Sequence, residues 1–303
     1  MKVSNQNIKK FQQTIWNYYA KNKRQMPWRE TTDPYKILVS EIMLQQTQVS
    51  RVIPKYESFT KRFPTVQKLA QANMGDVLKL WQGLGYNRRA LNLKRAAEMV
   101  VRDFGGEVPN DLEKLDSLPG VGAATAGAVA AYAWNKPTLF IETNIRRTFL
   151  HFFFDDADCK MVDDKVIFPF VEKALPNSRW NHSSEWFHKE KVTPREWYYA
   201  LMDYGAMLKA TVPNPNRRSA HYAKQSKFAG SNREVRGKIL ELISAKEKMS
   251  EKKLLEEIAD KRCEANISAL IKEGFLKRKG AIIKISNSQY SISNEREKIP
   301  AKN

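Results

Sequence analysis

The chain has 303 residues, 42% of them hydrophobic and 28% charged, which suits about two domains with buried cores and excludes a disordered chain. Lysine and arginine total 52 against 33 aspartates and glutamates, a formal charge of +19. Such a surplus implies a polyanionic partner, nucleic acid first and an acidic membrane surface second. No run approaches the roughly 18 apolar residues of a membrane span, and MKVSNQNIKKFQQ lacks the apolar core of a signal peptide.

In chain order, the first 225 or so residues read as mostly helical. Ile37, Leu38, Glu41, Ile42 and Leu44 fall near one helical face, and so do Val77, Leu78, Leu80 and Trp81. An Ala-rich helix begins near Thr125 and runs through Val129, Ala130 and Ala133. Pro27, Pro34, Pro54, Pro64, Pro109 and Pro119 stand at helix starts or turns. The polar stretch Val212–Ser231 reads as a boundary. After it Val235, Ile239, Leu242 and Ile243 mark one helix, Leu254, Leu255 and Ile258 a second, and Ile267, Leu270, Ile271 and Phe275 a third. GFLKRKGAIIKI then reads as two short strands around a basic turn. Three helices and a two-stranded wing describe a winged helix. The expected organisation is 1–230, 231–286 and a polar tail, 287–303. From Ser231 onward there are 17 basic and 11 acidic residues, net +6, and the preceding part carries +13, so both parts are basic.

Two cysteines, Cys159 and Cys263, make no disulfide framework and have no partner at metal-ligand spacing. This excludes a four-cysteine zinc site or a protein-held iron–sulfur cluster. His151, His182, His188 and His221 form no H-x-E or HExxH pattern, against a zinc deaminase or metalloprotease.

The strongest local motif is LPGVG, Leu118–Gly122, followed by AATAGA. An apolar residue, a Pro-Gly turn, a second glycine and a small-residue helix make a helix–hairpin–helix over 115–128. Leu118 and Val121 anchor it, while Gly120 and Gly122 let the backbone approach a phosphate under the N–H groups of the next helix. Alone, LPGVG also fits an ordinary tight turn. Its company is more specific: PWR, PYKILVSEIMLQQTQV, FPTV and LWQGLGY precede it in that order. From about Phe11 to Lys209 the chain resembles the helix–hairpin–helix (HhH-GPD) DNA glycosylases, and within them the adenine glycosylases. The resemblance implies an all-α, two-lobed glycosylase fold, here followed by the winged-helix-like module. It also implies action on duplex DNA that carries a mispaired or damaged base. A monomer is the default expectation, and the lack of a signal-peptide core or membrane-length apolar run gives an expected cytoplasmic location, on the nucleoid in a bacterium.

Glu41 lies among apolar residues on a helix face, where a carboxyl has a raised pKa and can donate a proton. The resemblance assigns this position to the general acid that protonates the departing base. In FIETNIRR, Glu142 stands where the family usually has Asp, the residue that stabilises the oxocarbenium-like sugar and helps water attack. The added methylene moves the carboxylate by roughly 1 Å, which costs about a hundredfold in rate unless the pocket is remodelled around it. Asn144 matches the Asn of the adenine enzymes, and Arg146 and Arg147 read as phosphate contacts or carboxylate partners. Bifunctional relatives carry an attacking lysine just after the hairpin, where this chain has Ala124. No lysine lies between Lys114 and Lys136, so hydrolysis is expected rather than a Schiff-base step.

By the same resemblance Gln45, Gln46 and Thr47 contact the duplex or the opposite base, and Tyr86 stacks into the vacated helix. Asn87 replaces the second aromatic often found beside it. Arg88, Arg89, Lys94 and Arg95 form a basic strip that reads as phosphate contact. Relatives usually end this domain with a four-cysteine iron–sulfur loop. Here Lys209 stands at the first cysteine position and TVPNPNRRSAHYAKQS follows, so no metal or cofactor is expected, and Arg217, Arg218, His221 and Lys224 are candidate phosphate contacts. Residues 231–286 read as too few and too helical for the Nudix-like domain usual in adenine glycosylases, and the third helix or KRKG turn of the module offers a different DNA contact. Two other readings stay open: a thymine or uracil mismatch glycosylase on the same fold, and a non-catalytic DNA-binding or damage-sensing protein.

Overall fold

A computed structural model describes residues 5–154, 161–176, 192–223 and 227–286. Cys159, His182, His188, Lys224 and the 287–303 tail lie outside these residues. In chain order the helices are α1 (Asn5–Asn22), α2 (Pro34–Leu44), α3 (Val49–Arg62), α4 (Val66–Gln71), α5 (Met74–Trp81), α6 (Arg88–Asp103), α7 (Leu112–Asp116), α8 (Ala123–Trp134), α9 (Thr143–Phe153), α10 (Asp164–Ala174) and α11 (Pro194–Thr211). They are followed by α12 (Asn232–Lys246), strand β1 (Lys248–Ser250), α13 (Glu251–Ile258), α14 (Cys263–Lys272), β2 (Leu276–Lys279) and β3 (Ile282–Ile285).

Two compact units divide the chain. One comprises Met1–Glu41, Asn110–Ser117 and Val121–Gln225; the other comprises Ile42–Pro109, Leu118–Gly120 and Ser226–Asn303. In the first unit, α2 starts where Pro34 supplies a pre-set φ and the Asp33 carboxylate accepts from the N–H groups of Tyr35 (2.9 Å) and Lys36 (3.4 Å). Thr193 starts α11 the same way, its hydroxyl accepting from Glu196 N–H with Pro194 in the first turn. The core is aromatic. Phe11 of α1 meets Phe149, Phe152 and Phe153 of α9 at ring distances of 5.0 Å, and Trp197 of α11 at 6.0 Å. Helices α9 and α11 come together at Gly205, where an added Cβ would lie 2.3 Å from the Asn144 carbonyl oxygen.

In the second unit Phe59, Phe63 and Trp81 pack edge to face. The segment after α5 turns through Gly83 (φ +87°), Gly85 (φ +70°) and Tyr86 (φ +49°), with the Trp81 indole donating to the Gly85 carbonyl at 3.2 Å. The C-terminal module belongs to this unit. Its α12 and α14 bury Ile239, Ile243, Ile267 and Leu270 against Phe275 and Ile283. Arg236 of α12 pairs with Glu273 at 2.8 Å, and Arg88 of α6 reaches the same carboxylate at 3.7 Å.

The sequence signals two strands here, and the structure has three. Strand β3 is central, antiparallel to β1 and β2, in the order β1-β3-β2. The three residues of β1 are too few to display a two-residue alternation, and the strand is held by its pairing with β3. Likewise α8 starts at Ala123, two residues before the point where its apolar face becomes visible.

Because the atom facing Gly205 is backbone, which cannot swing aside, Gly205→Ala is expected to destabilise the protein by about 3 kcal/mol or more in denaturant titration.

Candidate active site

Glu41 and Glu142 meet in the first unit. Glu142 is the residue before the first turn of α9, and its side chain makes no capping hydrogen bond. Glu41 occupies the eighth position of α2, one residue before a run of buried apolar side chains. Both keep part of their surface open while enclosed by neighbouring atoms. Burial pushes the Glu142 carboxyl up to about 7, against the opposing pull of Arg146. Burial pushes Glu41 well above the ordinary carboxylate value, and the charge of Glu142 pushes it further, with Arg29 opposing. Two carboxyls so arranged cannot both ionise easily, and Glu41 is the one that keeps its proton.

The guanidinium groups around the pair are engaged elsewhere. Arg146 forms a two-pronged ion pair with Asp164, both contacts 2.6 Å. Arg147 donates to Asn144 Oδ1 (2.5 Å), the Gly205 carbonyl (2.8 Å) and Asn214 Oδ1 (3.3 Å). Arg29 is locked to Asp203 by bonds of 2.8 and 2.9 Å, and Arg24 grips the same carboxylate at 2.5 Å. Arg29 also lies 4.4 Å from the Tyr199 ring centroid, and Tyr199 stacks on Tyr132 at 4.7 Å with 11° between planes. Burial, then the charges of Glu142 and Glu41, raises the Tyr132 hydroxyl. The anchored cation Arg29 and the tyrosine pair escaped sequence reasoning. Arg29 was visible only as the third letter of PWR, and Asp203 only as part of ALMDYGAML.

The other sequence-predicted residues divide between the two units. In the second unit, Gln45 Nε2 donates to the Gly120 carbonyl at 3.2 Å, joining the turn after α2 to the tip of the hairpin. Gln46 is exposed at φ +55°. Thr47 donates weakly to the Gln45 and Leu84 carbonyls. Gly120 has φ +80°, and a Cβ there would meet the Asn92 side chain at 2.7 Å. Leu118 and Val121 are buried, whereas Gly122 and Ala124 are exposed at the start of α8. Tyr86 is bound through its hydroxyl by Arg233 of the C-terminal module at 2.7 Å, with the guanidinium 5.2 Å from its ring centroid.

The basic strip is not one surface. Arg88 is exposed, but Arg89 and Lys94 point inward. Arg89 donates to the carbonyls of Ile42, Met43, Gln45, Leu84 and Gly85 and to Thr47 Oγ1, over 2.6–3.1 Å. It thereby satisfies the unpaired carbonyls at the end of α2, and burial lowers its pKa to about 10. Lys94 donates to the Ala70 carbonyl and to Glu98. These two are internal fasteners rather than phosphate contacts, because the helix is covered along the side where they stand.

The segment after α11 does not suit an iron–sulfur cluster. Residues 209–223 contain no thiol, and the polar groups there hold protein. Asn216 donates to the Thr143 carbonyl, Arg218 to the Leu150 and Phe154 carbonyls, and Ser219 bridges to Val162. Among the described residues no group of three or more His, Cys, Asp or Glu is placed to hold a metal ion. None of their helices is long and apolar enough to cross a membrane.

Residues 39–166 match the family model described as HhH-GPD superfamily base excision DNA repair protein. The chain is 35% identical over 199 residues to an adenine DNA glycosylase of Buchnera aphidicola, covering 65% of this chain and 52% of the relative. It is 34% identical over 248 residues to an adenine DNA glycosylase of Mycobacterium tuberculosis, covering 76% of this chain and 77% of the relative. The chain thus spans about half the length of the first relative and over three quarters of the second. Among solved structures, a thermostable thymine-DNA glycosylase superposes with a TM-score of 0.57 at 26% identity, covering 71% of this chain and 94% of that one. The chain belongs to the HhH-GPD superfamily of base excision DNA repair proteins, alongside the adenine DNA glycosylases.

The raised carboxyls make a stability prediction. Folded Glu142 binds its proton up to about pH 7, and the unfolded chain releases it near the ordinary carboxylate value. The folded state therefore holds more protons in that window, and stability falls as pH rises through it. Glu142→Gln removes this loss. It is expected to be more stable than the unsubstituted chain by about 1–3 kcal/mol at pH 8, with the difference shrinking toward pH 4.5, in denaturant titrations across pH.

Proposed function

We propose that the chain is a monofunctional DNA N-glycosylase that flips a mispaired base out of duplex DNA and hydrolyses its glycosidic bond. Adenine opposite guanine or 8-oxoguanine is the substrate. The observation that carries the reading is the pair Glu41 and Glu142, two carboxyls each raised by burial, with no ion pair to either among the described residues. Had Arg146 or Arg147 neutralised Glu142, a binding-only protein would be the better reading. Instead Asp164 and Asn144 engage them.

Neutral adenine leaves poorly without a proton. Glu41, holding its proton where burial disfavours its charge, donates to the departing base. The Glu142 carboxylate faces the positive charge that develops on the sugar as the bond breaks. It then orients a water, whose oxygen adds to the anomeric carbon while its proton passes to the carboxylate, leaving an abasic sugar. Ala124 offers no amine, so the strand stays intact. Hairpin residues 118–124, Gln45–Thr47 and Tyr86 hold the duplex, and Arg88 contributes charge at its exposed position. The enzyme acts as a monomer and without an iron–sulfur cluster. A second reading, excision of thymine or uracil opposite guanine, is supported by the thymine-DNA glycosylase likeness and by the small, exposed Ala124.

The test is single-turnover base release from duplexes carrying adenine opposite 8-oxoguanine, adenine opposite guanine, thymine opposite guanine or uracil opposite guanine, with and without alkali. Adenine release that yields strand breaks only after alkali is expected, slowed about 10²–10⁴-fold in Glu41→Gln. Its rate is expected to rise through about pH 7 as Glu142 ionises and to fall at higher pH as Glu41 loses its proton. Release confined to the thymine or uracil duplexes would move the chain to the second reading, and salt-sensitive binding without any release would sink the enzymatic one. In the same assay Glu142→Asp is expected to slow release by roughly a hundredfold, because it withdraws the carboxylate by about 1 Å from a pocket shaped around the longer side chain.

A further inference from the structure

The outward face of the C-terminal sheet carries a row of like charges. The strand register sets Lys248 of β1 opposite Lys284 of β3, and Lys284 opposite Lys277 of β2. The next row outward is Ser250, Ile282 and Lys279. No acidic residue occupies any of these positions. Lysines directly opposite one another across a sheet repel and weaken it. Lysine on an edge strand can serve to block unwanted strand pairing, and that accounts for Lys248 and Lys277. It does not account for Lys284, which lies on the central strand.

Nearby bases are neutralised inside the module: Lys246 pairs with Glu257 at 2.7 Å and Arg278 with Glu251 at 2.6 Å. Among the described residues, Lys248, Lys277, Lys279 and Lys284 have no such partner. Three of these four are exposed, Lys284 is half-buried between its neighbours, and Ile282 is 37% exposed beside them. The sheet thus tolerates a repulsion that a polyanion would relieve. The third helix is less suited to this, since its exposed positions are Glu264, Ala265, Ser268 and Lys272.

We propose that this sheet face is a binding surface for the phosphate backbone of duplex DNA, centred on Lys248, Lys284 and Lys277. The choice of DNA among polyanions rests on the glycosylase reading. The spacing supports phosphate contact rather than base reading, because ammonium groups on neighbouring strands form a flat comb of point charges with no element to enter a groove. The module is part of the same compact unit as α3–α6 and the tip of the hairpin, so the surface is carried by the lobe itself rather than on a free linker.

The test uses the full chain with Lys248→Gln, Lys277→Gln and Lys284→Gln combined. Three quantities are read: melting temperature, affinity for a mispaired duplex of about 30 base pairs between about 50 and 200 mM salt, and single-turnover base release at saturating enzyme. Relief of repulsion is expected to raise Tm by about 1–3 °C. Affinity is expected to fall roughly tenfold or more at the lower salt, and the slope of log K against log salt to flatten by about 2–3. Base release at saturation is expected to stay unchanged, which a general folding defect would not allow. If the triple variant does not fold, Lys284→Gln alone is expected to flatten the slope by about 1. Unchanged affinity and slope would overturn the proposal. So would unchanged duplex affinity combined with weakened binding to phosphatidylglycerol vesicles, which would assign the face to an acidic membrane surface. Lysine-dependent duplex binding by a chain that releases no base would defeat the glycosylase reading and leave this surface standing.

Discussion

Two buried carboxyls that feel each other's charge set the terms for the residues around them. Each raises the free energy of ionising the other, and burial withholds the water that would soften the effect. The cost is tolerable only if one group stays protonated, and which one does so depends on where the nearby cations are fixed. The charge of Arg29 acts on Glu41, but Arg29 is held by Asp203, which Arg24 also grips, and lies over the Tyr199 ring. Its field is damped by the carboxylate it is bound to. Arg146 is likewise drawn to Asp164. The cations near the pair are therefore engaged by other partners, and the two carboxyls stay raised rather than neutralised.

Some of this was legible in the sequence, and the boundary is instructive. Glu41 could be singled out because the apolar residues around it recur at helical spacing, which already implies burial. The hairpin could be singled out because glycine and proline at fixed offsets leave few alternatives for the backbone. Arg89 and Lys94 could not be assigned correctly. Charge at helical spacing looks the same whether the face meets solvent or a neighbouring helix, and only the tertiary fold brings five carbonyls to one guanidinium. Asp203 was invisible for the same reason: its partners lie some 170 residues away, and nothing local marks it as a charge anchor. Strand β1 was missed because three residues carry no period.

The segment after α11 shows how a fold replaces one kind of fastening with another. Backbone carbonyls at the end of α9 need donors, and Arg218 supplies them, while Asn216 reaches the start of the same helix. His221 lies 3.5 Å from Asp163 and 4.0 Å from Asp164, the residue that also engages Arg146. A run of side-chain hydrogen bonds and ion pairs thus continues from this segment to α10 and α9, and so to the helix whose first turn presents Glu142.

Tyr86 carries a consequence for how such a protein is assembled from parts. It occupies a backbone conformation that side chains seldom adopt, at φ +49°, and its hydroxyl is bound by Arg233, a residue of the C-terminal module. Arg89, fastened to the end of α2, also lies 5.6 Å from its ring centroid. The module therefore contributes a side chain of its own to the turn after α5. A replacement without that arginine would remove a donor from the phenol, while the turn itself is held by the Trp81 indole and Arg89 at the Leu84 and Gly85 carbonyls.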